Sequence, residues 1–468
     1  MVKGDEITLN VENLSGEGRT VARHDGLVFF VEKAVPGDVV RARIRKVGKN
    51  FADARVVELL TPSPLRVTPR CKHFGVCGGC SRQDLSYDAQ LRFKRQLVVD
   101  AFERIGGIKD PPVHPVLGAE DPYFYRNKME FTFSNFRWLT DEEIRLKEEV
   151  KMEVALGLHV PERYDKVVNI DECWLQSEQS AAIVNTVREV SRGWNLTVYS
   201  TEHRDGYLRH LVIREGKRTG DLMVNLVTSY DWPEAMRNMA GLLLKHFPQI
   251  STIVNNITSR QSMVARGEKE VVYHGPGTIM EKLGDFTYRL SANSFFQTNT
   301  LQAERMYEAV RSLASLGPKD VVYDLYCGTG AIAIYLSPYA ERVVGIELVE
   351  SSIADAARNA ELNHVGNCYF LQGDLKDRLT KDSQWIGEHP RPTVVVTDPP
   401  RSGMHAKVVA QIAKLSPEKI VYVSCNPSTQ ARDAKQLTEA GYSLQAVQPV
   451  DMFPHTDHIE AVALFLKQ

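Results

Sequence analysis

Near the start of the chain, four short runs alternate apolar and polar residues with a period of two: EITLNVENL, GLVFFVEKAV, DVVRARIRKV and ADARVVELL, with Gly and Asp between them. Such alternation marks strands with one buried face, and strands this short and close together predict a small β-barrel over residues 1–62. TPSPLRVTPR is a proline-rich break that ends it. From Leu85 to Ile105 apolar residues recur at helical spacing, with Arg92, Lys94 and Arg95 decorating the helix. Residues 63–285 mix helical runs with strand-like ones (KMEFTFS, HLVIRE, DLMVNLVT, STIVNNI), which predicts an α+β domain of antiparallel strands. The helix around 86–106 belongs to it or packs on the domain that follows. Two stretches, WLTDEEIRLKEEVKMEVALG and SRGWNLTVYSTEHRDGYLRH, enlarge this region without a pattern of their own.

After Pro318 strand and helix alternate: VVYDLYC, AIAIYLSPY, RVVGIEL, SSIADAARNAEL, CYFLQGD, TVVVTDPP, KIVYVSC. Runs this apolar, separated by helices, predict a parallel sheet covered on both faces. The fold class is therefore α/β, with a Rossmann-like, doubly wound domain over 286–468 behind the barrel and the α+β region.

Composition bounds the function. With 468 residues the chain holds roughly two to four domains, and 43% hydrophobic and 25% charged residues exclude a largely disordered chain. Lys plus Arg number 57 against 59 Asp plus Glu, so nucleic-acid contact has to come from a local patch. One candidate is DVVRARIRKV: period two puts Arg41, Arg43 and Arg45 on one strand face, with Lys46 and Lys49 close after. That face suits a phosphate backbone, and a solvated barrel strand would carry the same stripe. No apolar run reaches the length of about 18 to 20 residues that spans a membrane, and MVKGDEITLN lacks a signal-peptide profile, so a cytoplasmic protein without a membrane partner is expected. Three of the seven cysteines crowd into CKHFGVCGGC, which in a reducing compartment indicates metal binding or a reactive thiol before a disulfide.

Strand ends carry the chemistry. VVYDLYC runs into GTG and then a helix, so Gly328 and Gly330 let backbone approach a nucleotide-like ligand. Glu347 closes the next strand, where a carboxylate meets ribose hydroxyls, and Asp374 closes the third, where an adenine edge would lie. A nicotinamide dehydrogenase shares those features. The fourth and fifth strands, however, end in DPPRSG and SCNP, which places Asp398 and Cys425 at the ligand-binding edge. Hydride transfer needs no thiol there. A buried strand cysteine is the plainer account of Cys425, but Asn-Pro follows at once and marks a turn.

Uracil C5 is a poor nucleophile until a thiolate adds at C6, after which a base must remove the C5 proton. Cys425 suits the first role. Glu460, in PHTDHIEAVALFLK, suits the second, and a surface charge at a strand end accounts for it equally. Asp398 suits a hydrogen bond from uracil N3–H or a role in orienting the ring; a helix-capping aspartate is the alternative, which Pro399 and Pro400 disfavour by holding the backbone extended. Extruding a base from structured RNA calls for aromatic stacking, for which Phe295 and Phe296 of SANSFFQTN are candidates, as they are for core packing.

SANSFFQTN, DLYCGTG, GIELVESSIADAARNA, DPPRSG, YVSCNP and HIEAVALF, in this order, resemble the signatures of the RNA uracil-5-methyltransferase family over nearly the whole chain. By that resemblance Gln297, Tyr326, Glu347, Asp374 and Asp398 contact S-adenosylmethionine or the target base, Cys425 is the nucleophile and Glu460 the general base. The barrel resembles a TRAM domain, an RNA-binding module. Cys71, Cys77 and Cys80, followed at a distance by Cys173, are similar to the [4Fe-4S] site of the family's ribosomal-RNA branch. Four cysteines around zinc are the chemical alternative. Ala331 departs from the pattern, since relatives often carry a polar residue after GTG. The resemblance thus implies methylation of C5 of a specific uridine in 23S ribosomal RNA, single-stranded or flipped out, with no obligate protein partner. A transfer-RNA enzyme of identical chemistry is the near alternative. A non-catalytic RNA-binding or assembly factor would not need Cys425, Asp398 and Glu460 together, and an iron-sulfur redox protein would have spent its cysteines as ligands with no electron partner nearby.

Overall fold

The computed structural model describes residues 1–15, 19–139, 141–146, 154–161, 163–380 and 388–468. Strands β1 (Glu6–Leu14), β2 (Thr20–His24), β3 (Leu27–Glu32), β4 (Val39–Val47) and β5 (Phe51–Thr61) close into a barrel in the order β1-β2-β3-β5-β4. Leu9, Val11, Phe29, Val40 and Ile44 fill it, the inward positions of the alternation. Arg41, Arg43 and Arg45 do point outward, but they are not a bare cationic stripe. Arg41 pairs with Glu6 and Glu58, Arg43 with Glu6, and Arg45 with Glu32. Two of the acids come from the strands paired with β4, Glu6 opposite Arg43 and Glu58 opposite Arg41, and Glu32 comes from β3 beyond β5. Periodicity gives the direction of a side chain and is blind to what the adjoining strand sets beside it.

Helix α1 (Tyr87–Arg104) buries Val98, Ala101 and Phe102 in a core shared with Tyr323, Val395 and Ile420 near the carboxy-terminal end of the chain. Lys94 is no surface decoration: its ammonium lies 2.6 Å from Asp451, with both side chains buried. The helix is wrapped on more sides than its own periodicity implies.

A seven-stranded sheet follows, ordered β12 (Lys269–His274), β11 (Thr252–Ile257), β10 (Leu222–Thr228), β9 (Leu208–Glu215), β6 (Lys128–Ser134), β7 (Ala155–Val160) and β8 (Arg163–Asn169). Helices α3 (Glu178–Gly193) and α4 (Pro233–His246) pack on it, and their Ile183, Val187, Met236 and Leu243 join its core. The expectation of antiparallel strands needs one correction. β10 and β11 run parallel, because α4 between them carries the chain back across the sheet. Of the first charged stretch, α2 (Asp141–Leu146) and the start of β7 are described, whereas residues 140 and 147–153 lie outside the described residues. The second stretch is built into the domain, with Tyr199 and Tyr207 buried.

The hairpin β13 (Thr278–Leu283) and β14 (Phe286–Ser291) leads through α5 (Thr300–Ala314) to the last sheet. Its strands are β15 (Val321–Leu325), β16 (Arg342–Glu347), β17 (Cys368–Gln372), β18 (Val394–Thr397), β19 (Lys419–Ser424), β20 (Tyr442–Val450) and β21 (Glu460–Lys467), ordered β17-β16-β15-β18-β19-β21-β20. β15 to β19 are parallel and β21 is antiparallel to both neighbours. α6 (Ala331–Leu336), α7 (Glu350–Leu362), α8 (Leu375–Arg378), α9 (Ala406–Leu415) and α10 (Pro427–Glu439) connect them. Strand order reverses between β15 and β18, the switch point at which open α/β sheets bind ligands. Among the described residues no helix is long and apolar enough to cross a membrane.

Candidate active site

The loop after β15 is shaped by three left-handed residues, Tyr326 (φ 62°), Gly328 (φ 54°) and Gly330 (φ 76°). Glycine adopts this conformation freely, but tyrosine is strained in it, a cost that concentrates at functional turns. A Cβ on Gly330 would stand 2.9 Å from Ala356 and Phe370, so only glycine lets α6 start this close to α7. Glu347, at the end of β16, accepts the Gly328 N–H (3.3 Å) and the Val349 N–H (2.9 Å), tying two strand ends together. Asp374 caps α8 by accepting the Lys376 N–H at 2.9 Å. Burial, and then the charges of Asp374, Asp433 and Glu347, push the Tyr326 phenol up to about 12.

Asp398 follows β18 and Cys425 follows β19. Because Ser424 pairs with Ala461, one further step of the register sets Cys425 beside Glu460. Burial pushes the Asp398 carboxyl up to about 7. Glu460, 5% exposed, is raised well above the usual carboxylate range by burial and then by Asp398. The Cys425 thiol is pushed up to about 11 by burial, then by Glu460 and Asp398, while the Arg401 charge acts in the opposite direction.

A third acid joins Asp398 and Glu460, one that no strand-end motif marks. Asp324 of β15 is wholly buried, its carboxyl raised by burial and by Asp398. The Ala333 N–H favours its ionised form, but no hydrogen bond of normal geometry reaches either carboxylate oxygen among the described residues. A signal existed: an acid inside the otherwise apolar strand VVYDL. Buried carboxyls short of partners favour the neutral form, and a cation placed beside them stabilises the ionised one. S-adenosylmethionine carries a sulfonium and an ammonium, so the donor set fits that cofactor.

Phe295 and Phe296 part ways. Phe296 is 3% exposed and packs on Tyr288 at 5.6 Å, whereas Phe295 is 57% exposed. The Phe295 carbonyl accepts the Thr329 hydroxyl at 3.4 Å, which sets its main chain beside the GTG loop. Gln297 lies on the same segment, half-buried, its carbonyl accepting the Asn127 amide at 2.8 Å. Ala331 is buried as the first residue of α6 and offers a ligand no polar group. A cleft of about 590 Å³ is lined by Arg126, Lys128, Glu130, Arg401, Asp457 and His458, and none of Asp324, Asp398 and Glu460 lines it. Arg401 links it to Cys425.

Cys71, Cys77, Cys80 and Cys173 line one cavity, all four as free thiols. Burial pushes Cys77 and Cys80 up to about 12 and also raises Cys71 and Cys173. Among the described residues no group of three or more His, Cys, Asp or Glu side chains has the geometry to hold a metal ion. The fold thus gathers the four distant thiols without converging them on a single-ion site.

Residues 253–468 match the model of the tRNA (Uracil-5-)-methyltransferase family, and residues 2–57 that of the TRAM domain. The chain is 44% identical to an RNA methyltransferase of Chlorobaculum tepidum over 99% of its own length and 96% of the relative's. It is 42% identical to an RNA methyltransferase of Bacteroides thetaiotaomicron, over 96% and 99% of the two chains. Among solved structures, Pyrococcus abyssi tRNA (uracil-54, C5)-methyltransferase in complex with S-adenosyl-L-homocysteine is similar with a TM-score of 0.74 at 29% identity, covering 98% of this chain and 100% of that one. With its barrel, its switch-point acids and its strand-end cysteine, the chain belongs to the S-adenosylmethionine-dependent RNA uracil-5-methyltransferase family, its amino-terminal barrel being a TRAM domain.

Proposed function

We propose that the protein methylates C5 of a specific uridine in ribosomal RNA, with Cys425 as nucleophile and Glu460 as general base. The observation that carries this reading is the meeting of Cys425, Glu460 and Asp398 at one sheet edge. Asp398 with Gln297, Tyr326, Glu347, Asp374 and the Gly328 and Gly330 loop forms the cofactor side of the site. When bound, S-adenosylmethionine supplies an electrophilic methyl group.

The Cys425 thiolate adds to C6, forming the S–C6 bond and raising electron density at C5, the atom that takes the methyl group. Glu460 then accepts the C5 proton, the C5–C6 double bond re-forms, the S–C6 bond breaks and the thiolate is released. In the resting protein burial and the neighbouring acids favour the protonated forms of Cys425 and Glu460, so each gives its proton to solvent before the first step. Positive charge brought against Asp398 lessens their repulsion, so ligand binding favours the thiolate. The exposed ring of Phe295 stacks on a base beside the extruded uridine.

The ribosomal assignment rests on the pairing of a TRAM barrel with four gathered cysteines, which we assign to a [4Fe-4S] cluster. Four thiols lining one cavity supply the ligand number that such a cluster takes. Four-cysteine zinc is the other chemistry that the same ligands offer. A transfer-RNA substrate is the second reading, favoured by the Pyrococcus abyssi neighbour, which acts on tRNA. Mass spectrometry of 5-methyluridine in ribosomal and transfer RNA from a deletion strain decides between them. Loss from a ribosomal fragment supports the first, loss from transfer RNA the second, and loss from neither excludes both.

A further inference from the structure

The mechanism depends on Glu460, yet the segment that delivers it, residues 451–459, has neither helix nor strand. Its main chain is gripped from outside. The Ser81 and Arg82 N–H groups both donate to the His455 carbonyl, at 2.9 and 3.0 Å. Gln90 accepts the His455 N–H at 3.0 Å, and the Tyr125 hydroxyl donates to the Pro454 carbonyl at 3.1 Å. His455 has φ +63°, a strained value for a side chain of its size, which persists only where surrounding contacts enforce it. The side chains of the same two residues complete the grip: Arg82 Nε donates to Asp457 Oδ1 at 2.6 Å and Ser81 Oγ to Asp457 Oδ2 at 2.8 Å. Ser81 and Arg82 directly follow Cys80, and Asp457 stands three residues before Glu460.

We infer that Ser81, Arg82 and Asp457 form a latch through which the cysteine loop sets the position of Glu460, making Ser81 and Arg82 positioning residues for removal of the C5 proton. The inference rests on the role proposed for Glu460. Cys425 is carried by β19, which is held in place by β18 and β21 along its length, so opening the latch leaves the addition step in place. The base alone loses alignment, and a displacement of about 1 Å costs on the order of 10²-fold in rate. The defect therefore falls after addition, and the covalent protein–RNA adduct accumulates. A merely structural loss would remove the adduct together with activity.

The test uses the full-length protein, S-adenosylmethionine, and total ribosomal plus transfer RNA from the deletion strain. Arg82→Ala, Arg82→Lys, Asp457→Asn and Glu460→Gln are compared by methyl incorporation and by adduct surviving a denaturing gel. Arg82→Ala and Asp457→Asn are expected to lower kcat by about 10- to 100-fold with KM within about two-fold, and to accumulate adduct as Glu460→Gln does. Arg82→Lys restores most of the rate. Wild-type kcat in both latch variants, or lost turnover without adduct while Glu460→Gln accumulates it, overturns the latch. Absence of adduct in Glu460→Gln overturns the role of Glu460 and the latch with it.

Discussion

Cys425 stands beside Glu460 because β21 runs back along β19 with Ser424 paired to Ala461. Antiparallel pairing brings the end of one strand against the start of the other, so a thiol from the turn after β19 meets a carboxyl 35 positions later in sequence. Neither group is coupled to its partner by a flexible loop. Ladder register sets the two backbones side by side, and the segment gripped by Ser81 and Arg82 sets where the Glu460 end of β21 sits.

Replacing Cys425 by Ala is expected to abolish methyl incorporation and the covalent adduct, while S-adenosylmethionine affinity stays within about two-fold, because the thiol serves the base and not the cofactor. Calorimetric titration of the cofactor alongside a tritiated-methyl assay separates the two effects. Turnover by the variant would rule out the nucleophile.

Asp398 gives the cofactor a pH dependence. Its carboxyl is held at about 7 in the folded protein against 3.8 ordinarily, so it is neutral below that pH and ionised above. A cationic ligand prefers the ionised form, and affinity for S-adenosylmethionine should rise as pH increases through about 7. The sign for stability is opposite. A raised folded pKa stabilises below the unfolded value and is lost as pH climbs toward 7, so the ligand-free protein loses stability over that window. Asp398→Asn should flatten the binding profile and raise Tm of the ligand-free protein at pH 8.

For the arginines of β4 to contact phosphate, they must first release Glu6, Glu32 and Glu58. Exposed pairs of this kind are worth about 0 to 1 kcal/mol each, so phosphate can displace them. Replacing Arg41, Arg43 and Arg45 by Ala should weaken binding to every RNA alike and reduce the salt slope by up to about 0.7 per lost contact on single strands, leaving the modified site unchanged. Changing the three glutamates to Gln should do the reverse, tightening binding and steepening the slope. A shift in the modified site would mean the barrel reads sequence.

Lys94 and Asp451 form a pair with almost no solvent on either side. Asp451 also accepts the Tyr87 hydroxyl at 2.9 Å, and Lys94 reaches the Phe453 carbonyl at 3.1 Å. Lys94→Met strands a buried carboxylate and should cost about 3–5 kcal/mol of stability. Urea denaturation measures it, and Lys94→Met with Asp451→Leu should recover much of the loss.

Anaerobically purified protein is expected to carry iron and sulfide, and Cys173→Ser to lose both, since that residue alone comes from outside the short cysteine loop. Zinc without iron in the same preparation would exclude the cluster.

Local pattern reached far into this protein. Alternation of period two sufficed for the barrel strands, because one buried face leaves its mark on every second residue, and unbroken apolar runs sufficed for the parallel sheet, because both its faces are covered. The strand-end motifs put Glu347, Asp398 and Cys425 near the switch point for the same reason: in such a sheet the carboxyl ends of the strands all lie along one edge. Long-range packing decided the rest. Nothing local to DVVRARIRKV announces Glu6 and Glu58, and nothing in α1 distinguishes Lys94, which is buried by a loop 357 residues away, from its exposed neighbours. Phe295 and Phe296 are indistinguishable as a dipeptide, and only the core around Tyr288 sends one inward and leaves the other to solvent. Asp324 is an ordinary acid in the sequence; its burial beside Asp398 exists only once β15 and β18 are side by side. Sequence determines which way each residue points along its own element, whereas tertiary structure decides what it meets, because contacts between distant segments are set by how those elements pack.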